Sequence, residues 1–388
     1  LVALAALAAT SAFAQSSVSL YGTLDVGIGN IVYKKNDLMQ TTRSGAELNA
    51  NDSSRWGLTG KEDLGGGMAA EFKIESGIGT NPRSGIAKDM VMANGTSNGN
   101  GFTLDNTVLG DREFWAAVNS GAARVQVGYG VTAMRNLAVQ TDAAQSNQYG
   151  NQIAHDVGAY RRAGVRADYA LGGGWLVSGG VSGSHQNNGA AAPAGQYRVG
   201  KGWTLGTQYT QGPINAGYFH DEVTSQNPTL TAADYAVSPV PYLFTTTAAS
   251  QAAANTTKKT DLLAGSYDMG VAKLFGQYYS QKAVLNDDTT GTAAGLGKIQ
   301  GTSFGVRVPV GKATFFAQSL NMKDKQYIAA NTNDQDRKYT GSSFGVRYDV
   351  SKRTYAYVNT GSLKKDASTA NNDSTKYTQT ALGLVHSF

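Results

Sequence analysis

The last thirteen residues, KYTQTALGLVHSF, alternate strictly and constrain the fold more than any other stretch. Leu382, Leu384, His386 and Phe388 fall on one side of a period-two strand, and small or polar residues fall on the other. A strand that runs to the end of the chain needs a partner, because an open edge leaves unpaired N–H and C=O groups. The first strand-like stretch, SSVSLYGTLDVGIGN at 16–30, is the expected partner. If the two pair, everything between them belongs to a closed sheet.

The first fifteen residues, LVALAALAATSAFAQ, have the pattern of a targeting segment. Residues 1–7 are apolar, and Ala12-Phe13-Ala14 matches a small-x-small cleavage signal. We therefore expect residues 1–14 to be the remnant of a signal peptide and residues 15–388 to form one barrel domain. The absence of cysteine fits export to an oxidising compartment.

The composition favours a β-barrel that spans a membrane. Apolar residues make up 41% and the mean hydropathy is −0.30, while 48 glycines and only 7 prolines indicate many strands and tight turns. No apolar run after the leader is long enough for a transmembrane helix. Because only alternate residues of a barrel strand face lipid, such a protein can be polar on average. The charges are scattered, with a net of +5, which disfavours nucleic acid as a partner.

Short turns and long loops alternate along the chain. The string SFGVR, at 303–307 and 343–347, lies in two of the clearest alternating strands. Short turns rich in Gly, Asp and Asn are expected at 63–67, 119–121, 172–174, 212–215, 268–270, 309–311 and 349–352. Long loops are expected at 31–51, 78–109, 131–159, 185–195, 224–257, 284–297, 325–336 and 366–375. Seven turns and eight loops imply an all-β, antiparallel transmembrane barrel of sixteen strands with an aqueous lumen.

Aromatic residues recur near the expected strand ends and suggest interfacial girdles. They are Tyr21, Trp56, Trp115, Tyr129, Trp175, Tyr209, Tyr279, Tyr377 and Phe388. A soluble β-sandwich or β-helix is the alternative, but strands of about ten residues suit a tilted membrane span.

Four stretches carry a family resemblance: SSVSLYGTLDVGI, SSRWGLTGKEDLGGGMAAEFKIESG, AGVRADY and GLVHSF. In order and spacing they resemble the general diffusion porins of beta-proteobacteria over nearly the whole mature chain. The resemblance implies a homotrimer of sixteen-stranded barrels in the outer membrane, in contact with the lipid bilayer and lipopolysaccharide. It also implies passive passage of ions and small hydrophilic solutes, and a third long loop that folds inward. Phe388 resembles the terminal signal that barrel-assembly machinery recognises.

Strand parity predicts which charges point into the lumen. An Arg or Lys on the lipid face at mid-membrane would cost about 2–4 kcal/mol, so charged side chains should alternate with the lipid-facing apolar ones. The resemblance places Arg55 and Arg112 on the wall opposite the inward loop. Together with parity it gives a basic wall of Arg55, Lys73, Arg112, Arg162 and Arg166. The other expected lumen charges are Asp25, Glu71, Glu75 and Asp168.

The inward loop is expected at 131–159, with Asp142 and Asp156 as its acids and Arg135 as its base. Acids that face a basic wall would set a transverse field across the pore. The bases outnumber the loop acids, so we expect a moderate preference for anions. The sequence departs from related porins because Gly128-Tyr129-Gly130 replaces the usual Gly-Arg-Gln, and the Pro-Glu-Phe-Gly tip is absent.

No catalytic or metal-binding motif stands out. The four histidines lack HExxH spacing and there is no GxSxG, so we expect neither an enzyme nor a cofactor. Two other functions remain open. A substrate-specific porin would need a row of aromatic residues along the lumen, and an adhesin or receptor barrel would act through its long loops. The apolar stretch at 235–244, YAVSPVPYLF, keeps the receptor alternative open.

Overall fold

The computed structural model describes residues 17–48, 51–78, 110, 112–144, 153, 161–183, 201–225, 256–285, 295–326, 335–366 and 374–388. They form a single antiparallel sheet of seventeen strand segments and one helix. The first strands are β1 (Ser17–Lys35), β2 (Leu38–Leu48), β3 (Arg55–Gly65), β4 (Met68–Gly77), β5 (Glu113–Ser120) and β6 (Ala123–Val131). Helix α1 (Ala133–Gln140) follows, and then β7 (Arg161–Gly172), β8 (Trp175–Ser182), β9 (Gly202–Gln211), β10 (Ile214–Ser225) and β11 (Thr256–Asp268). The last strands are β12 (Lys273–Leu285), β13 (Gly295–Val310), β14 (Ala313–Gln326), β15 (Gln335–Asp349), β16 (Thr354–Lys365) and β17 (Thr375–Ser387).

The two ends of the chain pair and close the sheet. Strand β17 runs antiparallel to β1, with Leu382 opposite Ile28. The N–H of Phe388 donates to the carbonyl oxygen of Gly22 at 3.0 Å. The closure predicted from the C-terminal alternation is therefore confirmed.

Seventeen segments fill sixteen positions of the barrel. Strand β1 pairs with β2 through residues 26–35 and with β3 through residues 17–23. Strands β2 and β3 are thus two halves of one wall strand, which is interrupted between residues 48 and 55. The sixteen-stranded antiparallel barrel is confirmed.

The first connection differs from the prediction. A long loop was expected over 31–51, but β1 continues to Lys35 and turns directly into β2 through Asn36 and Asp37. Both turn residues have positive φ, 51° and 63°. Asn and Asp tolerate this left-handed conformation better than other non-glycine residues, and two such residues make the tight turn that suits a hairpin.

The seven predicted short turns all join consecutive strands at one end of the barrel. In the turn between β3 and β4, Gly65, Gly66 and Gly67 have φ values of 77°, 62° and 79°. Side chains are disfavoured in this region, so the glycine run fits the backbone. The long connections lie at the other end, and most of their residues fall outside the described ranges.

The sheet has an apolar outer face and a more polar inner face. Large apolar side chains such as Leu263, Phe304, Phe344 and Leu382 are exposed on alternating positions of their strands. An exposed apolar band of this kind is what a barrel presents to lipid. Within the described residues, no helix is long and apolar enough to cross a membrane.

Helix α1 packs inside the barrel against β9, β10 and β11. Its N-cap is Thr132, whose hydroxyl accepts the N–H of Arg135. Leu137 and Ala138 have no exposed surface and join a cluster that includes Phe219 of β10. The helix therefore fills part of the lumen and is anchored by its apolar face.

Several aromatic residues expected in the girdles face inward instead. The hydroxyl of Tyr21 donates to Glu75, the Trp115 indole N–H donates to Glu113, and Tyr279 is almost completely buried. A position near a strand end does not determine the face of the sheet, because parity does.

Candidate pore constriction

Glu75 of β4 is the centre of an ion-pair cluster on the inner wall. Its carboxylate lies 2.7 Å from Arg112 Nε, 3.2 Å from Lys73 Nζ and 3.8 Å from Arg55 Nε. It also accepts the Tyr21 hydroxyl at 2.9 Å. Strands β3, β4 and β5 are neighbours, so inward positions at one height bring these groups together. The cluster unites three of the predicted wall bases.

Arg112 reaches this cluster from just before β5. Parity alone would have placed Arg112 on the same face as the lipid-facing Phe114, because the two are two positions apart in the sequence. Its backbone N–H instead bonds to the Glu75 carbonyl at 3.1 Å, and its side chain turns toward the Glu75 carboxylate. The alternation of side chains between the two faces of the sheet does not extend to residues that precede the strand.

Glu113 extends the cluster and was missed by the sequence analysis. Glu113 is the direct cross-strand partner of Glu75. The two carboxylates would repel each other if no cation lay between them. Lys73 Nζ supplies it, at 2.7 Å from Glu113 and 3.2 Å from Glu75. Parity on β5, where Phe114 and Val118 face out, could have identified Glu113 as inward.

In this cluster the bases are more exposed than the buried acid that they surround. The side chains of Arg55, Lys73 and Arg112 are 25%, 24% and 21% exposed, whereas that of Glu75 is 4% exposed. The carboxylate thus lies beneath a layer of cations. Asp52, which accepts Arg55 Nη1 at 3.0 Å, is the exposed acid of the group.

A second group of charges lies on β6 and β7. Arg166 donates to Asp168 at 2.9 Å, and Arg124, which the sequence analysis did not single out, lies 3.6 Å from the same carboxylate. Glu71 is 3.9 Å from Arg124 and 3.6 Å from Lys61. These charges approach the turn end of the barrel and are separate from the Glu75 cluster.

Arg162 forms a buried pair with Asp221 of β10. Two N–H···O bonds of 2.6 and 2.5 Å join the guanidinium to the carboxylate. Thr204 donates a further hydrogen bond to Asp221. Both charges are almost fully buried, so Arg162 contributes little exposed charge to the lumen. Asp221 was missed because its partner lies 59 positions away in the chain.

Asp25 is completely buried rather than exposed in the lumen. Its carboxylate accepts the N–H groups of Asn51 and Asp52 at 2.6 and 2.8 Å, and the Tyr357 hydroxyl at 2.8 Å. Asp25 therefore anchors the segment that interrupts the wall strand between β2 and β3.

The segment after α1 is fixed to the wall on the far side from β3–β5. Arg307 of β13 donates to the carbonyl oxygens of Ala143 and Asp142 at 2.6 and 3.0 Å. Gln277 of β12 donates to the Ala138 carbonyl oxygen at 2.7 Å. The chain thus runs along the inner wall from β9 to β13, which is the inward path expected of loop 131–159 in its described part.

Asp142 is buried where this segment meets the wall. Because the residue is only 2% exposed, its carboxylate does not stand open in the lumen across from Arg55 and Arg112, as an opposing loop acid would. Asp156 lies outside the described residues. Among the described residues, the acids nearest the basic side chains belong to the barrel wall itself. Glu75 lies on the same strand as Lys73, and Glu113 lies on the neighbouring strand.

Phe388, for which the resemblance implies a role as an assembly signal, is partly exposed on the outer face. Its ring covers Gly22, where an added Cβ would lie 2.2 Å from the ring. The described residues contain no group of three or more His, Cys, Asp and Glu placed to hold a metal ion.

A closed sixteen-stranded barrel with an apolar outer band, an inward helix and a charged inner wall defines a transmembrane pore of the outer-membrane type. Residues 1–368 match the family model of Gram-negative porins, and the chain belongs to that family. The family consists of channels rather than enzymes, and the protein is located in the outer membrane.

Two curated relatives match parts of the chain. Outer membrane porin protein 32 of Delftia acidovorans is 46% identical over 79 residues, which is 20% of this chain and 22% of the relative. An outer membrane porin protein of Bordetella pertussis is 26% identical over 289 residues, which is 69% of this chain and 64% of the relative. The matches thus span less than two thirds of either relative.

Solved structures share the fold. The anion-selective porin from Comamonas acidovorans has a TM-score of 0.66 at 20% identity, covering 96% of this chain and 100% of that one. The trimer form of OmpT from Vibrio cholerae has a TM-score of 0.56 at 12% identity, covering 95% and 99%.

Proposed function

We propose that this protein is a general diffusion channel that passes ions and small hydrophilic solutes across the outer membrane. The observation that carries the proposal is the closed barrel whose inner face is polar and charged while its outer face is apolar. Sixteen strands leave an aqueous channel, and helix α1, which is anchored to one wall, narrows it.

The test is reconstitution of the refolded protein into planar lipid bilayers. Step increases in conductance that are ohmic and scale with bulk salt are expected from a water-filled pore. Protein that migrates as folded barrel but gives no conductance would contradict the proposal. A sample heated until the barrel unfolds is the matched control.

We further propose a moderate preference for anions, for a reason that differs from the sequence prediction. Among the described residues, the loop acid Asp142 is buried and does not face the wall bases across the lumen. Instead, the acid of the Glu75 cluster is buried beneath Arg55, Lys73 and Arg112, so a passing ion meets the cations first. A low-dielectric constriction concentrates the field of such a surface, and the screening length at 0.1 M salt is about 10 Å.

The assembly we propose is a homotrimer. The support is the family and the fold shared with OmpT, whose structure is described as a trimer form. The mass of the complex in mild detergent is expected to equal three chains, and a monomer that persists as the concentration rises would contradict this. We also propose that barrel-assembly machinery recognises Phe388.

The two alternatives receive less support. Three of the inward aromatic side chains, Tyr279, Tyr339 and Tyr357, are each at most 3% exposed, so they do not contribute to the open row that a substrate-specific porin would need. The stretch 235–244, which motivated a receptor or adhesin barrel, lies outside the described residues.

A further inference from the structure

A small cavity lies between the start of helix α1 and the inner wall formed by β6–β9. Its volume is about 40 Å³, and its lining includes residues 131–133, Arg162, Arg166, Gly164 and Gly180. One water needs roughly 10–15 Å³ of such a volume, so the cavity holds only a few particles of that size. Any ligand bound in this cavity must therefore be small.

The start of α1 brings backbone donors to the cavity. The hydroxyl of Thr132 accepts the Arg135 N–H, and its carbonyl oxygen accepts the first helical hydrogen bond, from Asn136 at 3.1 Å. The N–H groups of Ala133 and Met134 have no acceptor within the helix. A helix N-terminus carries a partial positive charge, and the first turn here contains no acidic residue that would compensate it. An anion beside Ala133 would supply both an acceptor and the compensating charge.

Arg162 is an independent indication of a ligand in this cavity. The residue is 8% exposed, and its guanidinium reaches past Gly202 to Asp221, which accepts hydrogen bonds from Nη1 and Nη2. The third donor of the guanidinium, the buried Nε–H, has no hydrogen-bond partner among the described residues. A buried donor without an acceptor is destabilising, and such donors usually have a partner in the protein or in ordered solvent. Because Arg162 lines the cavity, a ligand there can accept this N–H.

A second guanidinium lies beside the start of the helix. Arg166 Nη1 donates to the carbonyl oxygen of Val131 at 3.3 Å, and Arg166 Nε donates to Asp168 at 2.9 Å. Arg162 and Arg166 lie four positions apart on β7, with Gly164 between them on the same face. The two guanidinium groups and the positive end of the helix would repel one another if no anion lay between them.

The neighbouring carboxylates limit the charge of the ligand. Asp221 pairs with Arg162, and Asp168 pairs with Arg166, so each guanidinium already has a counter-charge. The ligand therefore meets N–H donors and the partial charge of the helix, roughly half a unit, rather than two uncompensated cations. These groups suit a monovalent anion better than a divalent one such as sulfate, and the volume excludes large organic anions.

We propose that this cavity, which we call the α1 anion site, binds one small monovalent anion such as chloride. The ion would accept the N–H of Ala133 and the Nε–H of Arg162, and it would fix the start of the inward segment to β6–β9. The site is separate from the Glu75 cluster, which lies on β3–β5. The proposal depends on the position of α1 and not on channel activity.

The test compares Gly180→Val with Gly179→Val. A side chain at 180 would point into the cavity, and its Cβ would lie 3.3 Å from the Val165 carbonyl oxygen. A side chain at 179 would point to the outer face, as that of the exposed Val181 does, and its Cβ would lie 3.5 Å from Leu205. The two variants thus add the same group with similar clearance, and only the first fills the α1 anion site.

Two measurements are made on each protein. Crystals grown in sodium bromide show a bound halide by its anomalous difference density. In detergent solution, the unfolding temperature is followed while sodium chloride replaces sodium gluconate at constant ionic strength, because a ligand of the folded state raises this temperature. Arg162→Lys keeps the positive charge and removes the Nε–H, and this second variant decides the test if Gly180→Val does not migrate as a folded barrel.

We expect bromide density between Arg162 and Ala133, and a saturable rise of the unfolding temperature with chloride, in the unmodified protein and in Gly179→Val. Both signals should be lost in Gly180→Val and weakened in Arg162→Lys. Absence of density from the cavity, or an equal chloride effect in all four proteins, would overturn the proposal. Density without a saturable rise would indicate an adventitious ion only and would overturn it as well. Absence of conductance alongside the expected signals would count against the channel function and leave the α1 anion site supported.

Discussion

Arg112 Nε lies 2.7 Å from the carboxylate of Glu75, and the base is several times more exposed than the acid. The same holds for Arg55 and Lys73 around that carboxylate. The buried Glu75 thus holds three cations at the inner wall, while its own carboxylate presents little negative charge to the lumen. We expect the selectivity of the pore to follow from this difference in depth rather than from a surplus of basic residues.

Arg112→Ala is expected to move the selectivity toward potassium. A unit charge about 8 Å from the ion path contributes roughly 0.5 kcal/mol in water, with opposite signs for chloride and potassium, so the permeability ratio of the two ions should change by up to about fivefold. The reversal potential across a KCl gradient measures this ratio. Lys312→Gln, in an exposed turn away from the cluster, is the control, and an equal shift there would contradict a local origin.

Glu75→Gln should move the selectivity the other way. The substitution removes the negative charge and keeps the size of the side chain, so the three cations lose their shared counter-charge. Asp142→Asn is the informative comparison, because this acid is buried where the inward segment meets the wall and its replacement should change the ratio much less. A larger effect from Asp142 than from Glu75 would restore the loop acid as the main determinant.

Arg307 and Arg347 occupy the same position of the repeated string SFGVR, and Arg307 holds the described part of the inward segment. Arg347 pairs with Asp349 of its own strand at 2.6 Å. Hydrogen bonds from a charged donor are worth about 1.5–3 kcal/mol, so Arg307→Ala should loosen residues 142–144. We expect single-channel currents that are larger and noisier than those of Arg347→Ala, and indistinguishable currents would count against this anchor.

Asp25 should be important for stability rather than for selectivity. Replacing it with Asn removes the charge that accepts two backbone N–H groups, which should cost roughly 1–3 kcal/mol of unfolding free energy. Tyr357→Phe, which loses one hydrogen bond to this carboxylate, should cost about 1 kcal/mol. The midpoints of urea unfolding in lipid vesicles measure both, and a midpoint unchanged by Asp25→Asn would refute the anchoring role.

The sequence predicted the barrel because its determinants are local. Alternation in β17 and β1 identified the two strands that close the sheet, and Gly-rich turns located the hairpins. The interruption between β2 and β3 could not be read in this way, since it depends on Asp25 meeting Asn51 and Tyr357 from distant parts of the chain.

Part of the site was also predictable, because local alternation determines the face on which each side chain lies. Parity placed Glu75 and Lys73 on one face, but it gave no measure of depth. It therefore could not distinguish the buried Glu75 and Asp142 from exposed acids, nor pair Arg162 with Asp221. Depth and pairing depend on the register between strands and on the path of the inward segment.

The reversal potential of the unmodified protein across a KCl gradient tests the central claim most directly. It should be measured with both solutions below about 0.1 M, where screening is weakest. A buried Glu75 beneath exposed bases predicts a potential whose sign favours chloride and whose magnitude falls as salt is raised. A potential that favours potassium under these conditions would contradict the account.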